Sequence, residues 1–262
     1  MAGPATMTVV STGIAAVTGA VPMPADYTWT VHLASFPTAT ATQTFTRPTL
    51  DGVIGVDEWQ GAPLDITYDI DPGTVSGPAD LSAKMYVNYD AKWLYLGFDI
   101  TDDVLANNPV SGSLWLNDSI EIFFDSDLSR TPDNAAPGGQ YRINWDGQPS
   151  GNSDNLTTFG PNSTNEWYGV AATKAGGWIA ELRFSLERIG EPVAPVLITS
   201  TIGFNVQVND NDNNTTIRDT RLWWYTPIAL TEVSARSDRW GYLNFAPWTN
   251  PPAAAGNWQI FE

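Results

Sequence analysis

The stretch LWLNDSIEIFFD, residues 114–125, decides the fold. From Ser119 onward acidic and apolar residues alternate, and on a β-strand successive side chains point to opposite faces. Ile120, Ile122 and Phe124 therefore share one face, and Glu121, Phe123 and Asp125 share the other. The first set is a core face. The second sets a carboxylate beside an aromatic ring, with Trp115 just ahead of the strand.

The same alternation recurs along the chain. Strands are expected near 83–89 (AKMYVNY), 93–100 (WLYLGFDI), 119–125, 139–145 (GQYRINW) and 166–173 (EWYGVAAT). Others follow near 178–184 (WIAELRF), 202–209 (IGFNVQVN) and 241–245 (GYLNF). Each is short and bounded by Gly, Pro, Asn or Asp. FSLERIGEP (184–192) is the one helical turn the pattern suggests. Many short strands without strand–helix alternation predict an all-β, antiparallel β-sandwich.

Ahead of this region, residues 1–45 contain no Glu, Lys or Arg. Two alternating segments, 6–14 and 26–36, flank the turn-rich GAVPMPAD and form a candidate β arm. A lone strand pair is marginal in water, so the arm must pack on the main domain or on something else. ATATQTFTRP (39–48) reads as a linker, and 247–262 as a tail ending in an aromatic strand or hook. The expected organisation is an arm and linker at 1–45, a β domain at 46–246 and a tail.

Composition narrows the function. The formal net charge is −17, which disfavours nucleic acid and anionic membranes as partners. Without cysteine there is neither a disulfide framework nor a thiolate metal site. No apolar run reaches the roughly 20 residues of a membrane helix. Catalysis finds little material: the single histidine, His32, lies in the arm, so no Ser–His pair or zinc site can be assembled. Glu121 and Glu181 could be offered as a glycosidase pair, but strand glutamates more often hold structure or ligand. Met85 and Lys84, possible axial haem ligands, are adjacent and so face opposite ways.

The second face is more informative. Gln140, Arg142 and Asn144 alternate against Tyr141, Ile143 and Trp145, and Asn205, Gln207 and Asn209 alternate against Phe204, Val206 and Val208. An antiparallel sheet often turns one face to water. Amides, Arg, Glu and aromatics in place of Lys and Thr point instead to a surface that hydrogen-bonds a neutral ligand. Sugars match it: their hydroxyls pair with planar amide and guanidinium groups, and their C–H faces stack on tryptophan.

In order and spacing, LDGVIGVDEWQGAPL, VNYDAKWLYLGFDITDDVL, WLNDSIEIFFD, GQYRINW, WIAELRFSLERIG, IGFNVQVNDND and WGYLNFA resemble the family 9 carbohydrate-binding modules across residues 46–246. Residues 1–38 resemble the end of a bacterial Ig-like domain. The first resemblance implies a jelly-roll-like, non-catalytic, secreted bacterial module, appended to glycoside hydrolases, that grips glucan or xylan ends between two tryptophans and binds structural calcium. Carried over, Trp115 matches one aromatic wall, Glu121 and Arg142 match polar contacts, and Arg239 matches a basic residue before the last strand. Asn144, Asn205 and Gln207 complete the candidate ligand set. The second wall falls near Ser234, where TPIALTEVSARSDR (226–239) has no aromatic, leaving Tyr225, Trp240 or a residue of the arm as substitutes.

Calcium candidates are Asp210 and Asp212 in NDNDNNTTIRD, a spacing that also fits an Asx-rich turn, and Asp51 and Asp57 in DGVIGVDE. Asp102 with Asp103 and Asp125 with Asp127 are further carboxylate pairs. The alternative to sugar binding is a structural extracellular protein that self-associates through the N-terminal arm, since orphan strand edges add to neighbouring sheets.

Overall fold

Alternation becomes strand almost wherever it was expected. A computed structural model describes residues 5–9, 27–31, 36–69, 75–106, 114–130, 138–147, 149–151, 167–190, 201–213, 218–225 and 236–249. It divides the chain into two units, Met1–Phe36 and Pro37–Glu262. In the first, β1 (Ala5–Val9) pairs antiparallel with β2 (Tyr27–Val31). His32 lies outside the described residues.

Among the described residues the second unit holds thirteen strands: β3 (Thr38–Gln43), β4 (Leu64–Ile66), β5 (Tyr68–Asp69), β6 (Leu81–Tyr89), β7 (Trp93–Asp102), β8 (Ser119–Asp125), β9 (Gly138–Asn144), β10 (Pro149–Gly151), β11 (Trp167–Lys174), β12 (Gly177–Ser185), β13 (Thr201–Asp210), β14 (Thr220–Trp223) and β15 (Gly241–Phe245). Short 3-10 turns, η1 (Leu114–Leu116) and η2 (Ser237–Arg239), precede β8 and β15. Of FSLERIGEP, the described residues 184–190 hold a turn in which Ile189 N–H donates to the Ser185 carbonyl at 3.2 Å.

Two layers result. One runs β10-β9-β8-β13, where β15 and β14 share the far edge of β13 and β5 adds to β14. The other runs β11-β12-β7-β6, with β4 on β6. All these pairs are antiparallel, but β3 is not. Its first four residues run parallel to β15 and its last two run parallel to β6, so it joins the layers. The expected linker at 39–48 is therefore partly a strand of the sandwich. Its Thr/Ala composition carries no strong core signature, yet Ala39 and Ala41 are buried.

Core faces meet between the layers. Ile120, Ile122, Phe124, Phe204, Val206 and Val208 come from one, and Leu94, Leu96, Phe98, Ile100, Leu182 and Phe184 from the other, all fully buried. Phe184 crosses the gap to Phe124 at 5.1 Å and Tyr141 at 4.9 Å between ring centroids. Each such side chain contributes roughly 1.5–3 kcal/mol of burial. Met85 lies in this core while Lys84 is exposed, as their adjacency requires.

The outer face of the second layer is covered by residues 50–60. Trp59 lies on Gly97, where an added Cβ would come within 2.7 Å of the indole. Trp93 and Tyr95 complete this cluster, and Leu50 and Ile54 pack against it.

Candidate functional site

Strand register explains the polar face of the first layer. Glu121 sits opposite Gln207 on one side and Arg142 on the other, while Ser119 lies between Asn209 and Asn144. The row beyond is Asn205, Phe123 and Gln140. These side chains form a network centred on Glu121, which is only 3% exposed. Arg142 Nε donates to Glu121 Oε2 at 2.6 Å, and Gln140 Nε2 donates to the same oxygen. Gln207 Nε2 and Asn209 Nδ2 donate to Oε1 at 3.1 and 3.0 Å. An ionised carboxylate offers about four acceptor positions, and four donors reach it here. The chain supplies its own partners for this buried charge, which is what makes the burial tolerable.

Three residues carry the network outward. Arg142 is partly exposed, Trp115 on η1 is 36% exposed, and the partly exposed Arg218 reaches from Asn209 on β13 to Trp115. The Arg218 guanidinium carbon is 5.2 Å from the Trp115 ring centroid. Its Nη1 donates to Asn209 Oδ1 at 2.7 Å and to the Trp115 carbonyl at 3.4 Å, and lies 3.7 Å from Glu121 Oε1. Arg218 was not among the expected residues. It stands beyond the Asn-rich turn, where nothing local tells a reader which way it points.

The other expected residues divide. Trp115, Glu121, Arg142 and Gln207 come together, and Asn144 is buried one row away. Asn205 does something else: its Nδ2 donates to the Tyr225 carbonyl at 2.8 Å and its Oδ1 accepts from Tyr225 N–H at 3.2 Å. It fixes the chain leaving β14, so its amide is turned to main chain. Trp240 and Tyr225 are buried, not standing at the rim as substitute walls. Trp240 packs on Phe123, which stacks on Trp223 at 5.5 Å, and Tyr225 meets Tyr68 edge-on. Arg239 ends η2 beside Trp240 and helps keep the Asp238 carboxylate acidic, after Arg236. Ser234 lies outside the described residues.

A second constellation closes one end of the sandwich. Carboxylates of Asp102, Asp118 and Asp210 lie with ligand atoms within 4.8 Å of one another, as do those of Asp80, Asp210 and Asp212 and those of Asp102, Asp103 and Asp212. Burial, then mutual repulsion, pushes Asp210 up to about 9 and Asp118 up to about 8. Burial likewise raises Asp102 to about 7. Asp102 Oδ2, Asp210 Oδ1 and Asp212 Oδ1 are buried without a hydrogen-bond partner. Close hard oxygens with unfilled lone pairs are the donor set of a calcium ion.

Asp210 and Asp212 are thus joined by Asp80 and Asp118, which sequence reading missed; Asp118 lies within the opening stretch itself. Asp51 and Asp57 belong to no such group among the described residues. Asp51 Oδ1 accepts from Val53 N–H at 3.0 Å in a local turn, and exposed Asp57 has a φ of 63°. Asp125 and Asp127 bracket a separate turn closed on Ser129 and Arg130.

Glu121 and Glu181 do not form a pair. Glu121 faces outward from the first layer, and Glu181 lies under residues 51–52 on the second. There its Oε2 accepts from Asp51 and Gly52 N–H at 2.9 and 2.7 Å.

Comparison with known proteins supplies the context. Residues 50–245 match the model of the "Carbohydrate family 9 binding domain-like" family. The chain is 32% identical over 180 residues to the exoglucanase XynX of Acetivibrio thermocellus, an alignment covering 69% of this chain and 15% of that protein. The chain therefore spans about 15% of that relative's length. A family 9 carbohydrate-binding module of Caldicellulosiruptor kristjanssonii, solved with glucose, aligns at a TM-score of 0.64 and 18% identity, covering 83% of this chain and all of that one. A family 9 module of the same organism, solved with cellotriose, aligns at a TM-score of 0.62 and 17% identity, covering 86% of this chain and all of that one. At that identity the likeness is one of fold.

Proposed function

The chain belongs to the carbohydrate family 9 binding domain-like family, and we propose that its β-sandwich binds an oligo- or polysaccharide without cleaving it. One observation carries this reading: an exposed tryptophan stands beside a guanidinium, Arg218, and the partly exposed Arg142 belongs to the same buried Gln and Asn network around Glu121 that holds Arg218. Such a surface offers a stacking face for C–H groups and oriented guanidinium donors for hydroxyls. Catalysis would need a second carboxylate facing the same cleft, and Glu181 lies on the other layer.

A β-1,4-glucan is the ligand class to test first, because the solved modules hold glucose and cellotriose. The exoglucanase relative suggests an extracellular setting, in which this module would keep an enzyme near its polysaccharide. Titration calorimetry against cello- and xylo-oligosaccharides, followed by a glycan array, tests the reading. Absence of binding throughout would refute it.

We further propose that Asp80, Asp102, Asp118, Asp210 and Asp212 hold structural calcium at the end of the sandwich. The orphaned buried carboxylate oxygens support it. The ion would supply charge neutralisation, tying β7 and β13 of opposite layers.

Self-association through the arm is the second reading. Among the described residues, β1 and β2 pair only with each other. Light scattering over a concentration series tests it, and a strict monomer throughout would remove it.

A further inference from the structure

We propose that Arg218 is a positioning residue that makes Trp115 a one-faced stacking platform, so that the module grips the side of a sugar chain and requires no chain end. This rests on the carbohydrate reading above. The Arg218 guanidinium lies over the Trp115 ring at 5.2 Å and is anchored inward to Asn209 Oδ1 at 2.7 Å, with Glu121 Oε1 at 3.7 Å. Those anchors belong to the sheet, so the guanidinium covers the ring face turned toward it. The opposite face remains for ligand, and Trp115 keeps 36% of its surface exposed.

An aromatic pair clamping one sugar encloses a terminal unit. A single open face leaves both glycosidic oxygens of an internal unit in solvent and lets the chain run through. The described candidates for a second wall agree: Tyr225 and Trp240 are buried. Arg218 has a second effect. Trp115 sits on a three-residue 3-10 turn, and an unsupported ring there would have to be ordered when ligand binds. Contact with the guanidinium and the 3.4 Å bond to the Trp115 carbonyl order it beforehand.

The test uses the full chain, with titration of cellotriose and borohydride-reduced cellotriose, or the xylotriose pair if that binds better. For the wild type, the reduced and unreduced sugars should bind within about twofold of each other. Arg218→Gln should weaken binding about three- to thirtyfold, the range of a cation–π contact, with little change in melting temperature. Arg218→Lys should recover part of the loss. Reduced sugar binding more than about tenfold weaker would show that a chain end is read and would overturn the proposal. Unchanged affinity in Arg218→Gln, or no recovery in Arg218→Lys, would overturn Arg218's role. Failure of the wild type to bind any glucan or xylan oligomer would instead refute the carbohydrate reading, and this inference with it.

Discussion

Replacing Asp210 with Asn should stabilise the metal-free protein at neutral pH and remove most of its response to calcium. Asp210 is 1% exposed at the end of β13. Its carboxylate atoms fall within 4.8 Å of those of Asp102 and Asp118 in one group and of Asp80 and Asp212 in another. At that separation two unit charges repel by about 3.5 kcal/mol at an effective dielectric near 20. Metal-free protein relieves this by retaining protons, as the raised values of Asp210 (about 9), Asp118 (about 8) and Asp102 (about 7) express.

The sign follows from linkage. The unfolded chain releases these protons near pH 4, whereas the native chain still holds them, so stability falls as pH rises toward those values. One retained proton makes the fall about 1.4 kcal/mol per pH unit, or about 3 kcal/mol between pH 5 and pH 7. For a domain of this size that is about 6–12 °C in Tm. Asn at this position removes one such group and should return about that amount at pH 7, and almost nothing at pH 4. Calcium at a hundredfold excess over its Kd should raise wild-type stability by about 2.7 kcal/mol, and the variant's by much less. Thermal melts of metal-stripped protein at pH 4, 5 and 7, with calcium or with sodium at equal ionic strength, measure all of this. A variant less stable than wild type at pH 7 without metal, or full recovery by sodium, would refute the reasoning.

Three further outcomes are expected. Trp115→Ala should weaken glycan binding by about 1–3 kcal/mol while leaving Tm within a degree or two; calorimetry with a parallel melt checks both, and wild-type affinity would remove Trp115 from the site. Glu181 is fully buried, and burial, then the charges of Glu58 and Asp51, raise it to about 7. The wild type should therefore lose stability relative to Glu181→Gln as pH rises from about 4.5 through 7, and a difference constant with pH in urea unfolding would contradict this. Gly97→Ala should cost about 1–3 kcal/mol, because its Cβ would meet the Trp59 ring at 2.7 Å; an unchanged denaturation midpoint would show that Trp59 yields without cost.

Much of the architecture was legible in the residues. Alternation at period two is a local property, so β8 and β15 begin and end where the pattern does, and the core faces of β7, β8 and β13 are those the alternation selects. Trp115, Glu121, Arg142 and Gln207 could also be named, because an amide- and arginine-rich face is visible strand by strand. Their grouping needed register. Glu121 meets Gln207 and Arg142 only because β8 is flanked by β13 and β9 in one alignment, and a shift of one residue would reverse the faces.

What tertiary structure alone decided is where distant segments converge. The Thr/Ala stretch of β3 reads as a linker because its strand character comes from parallel pairing with β15 and β6, not from its own side chains. Asp80, Asp102, Asp118 and Asp210 lie on separate segments, and only the closure of two layers brings their carboxylates together. Arg218 finds Trp115, and Asn205 turns to main chain, for the same reason. Periodicity records which face a residue occupies. Which charges and rings share that face is set by long-range pairing, whose free energy resides in contacts between strands and not in any one of them.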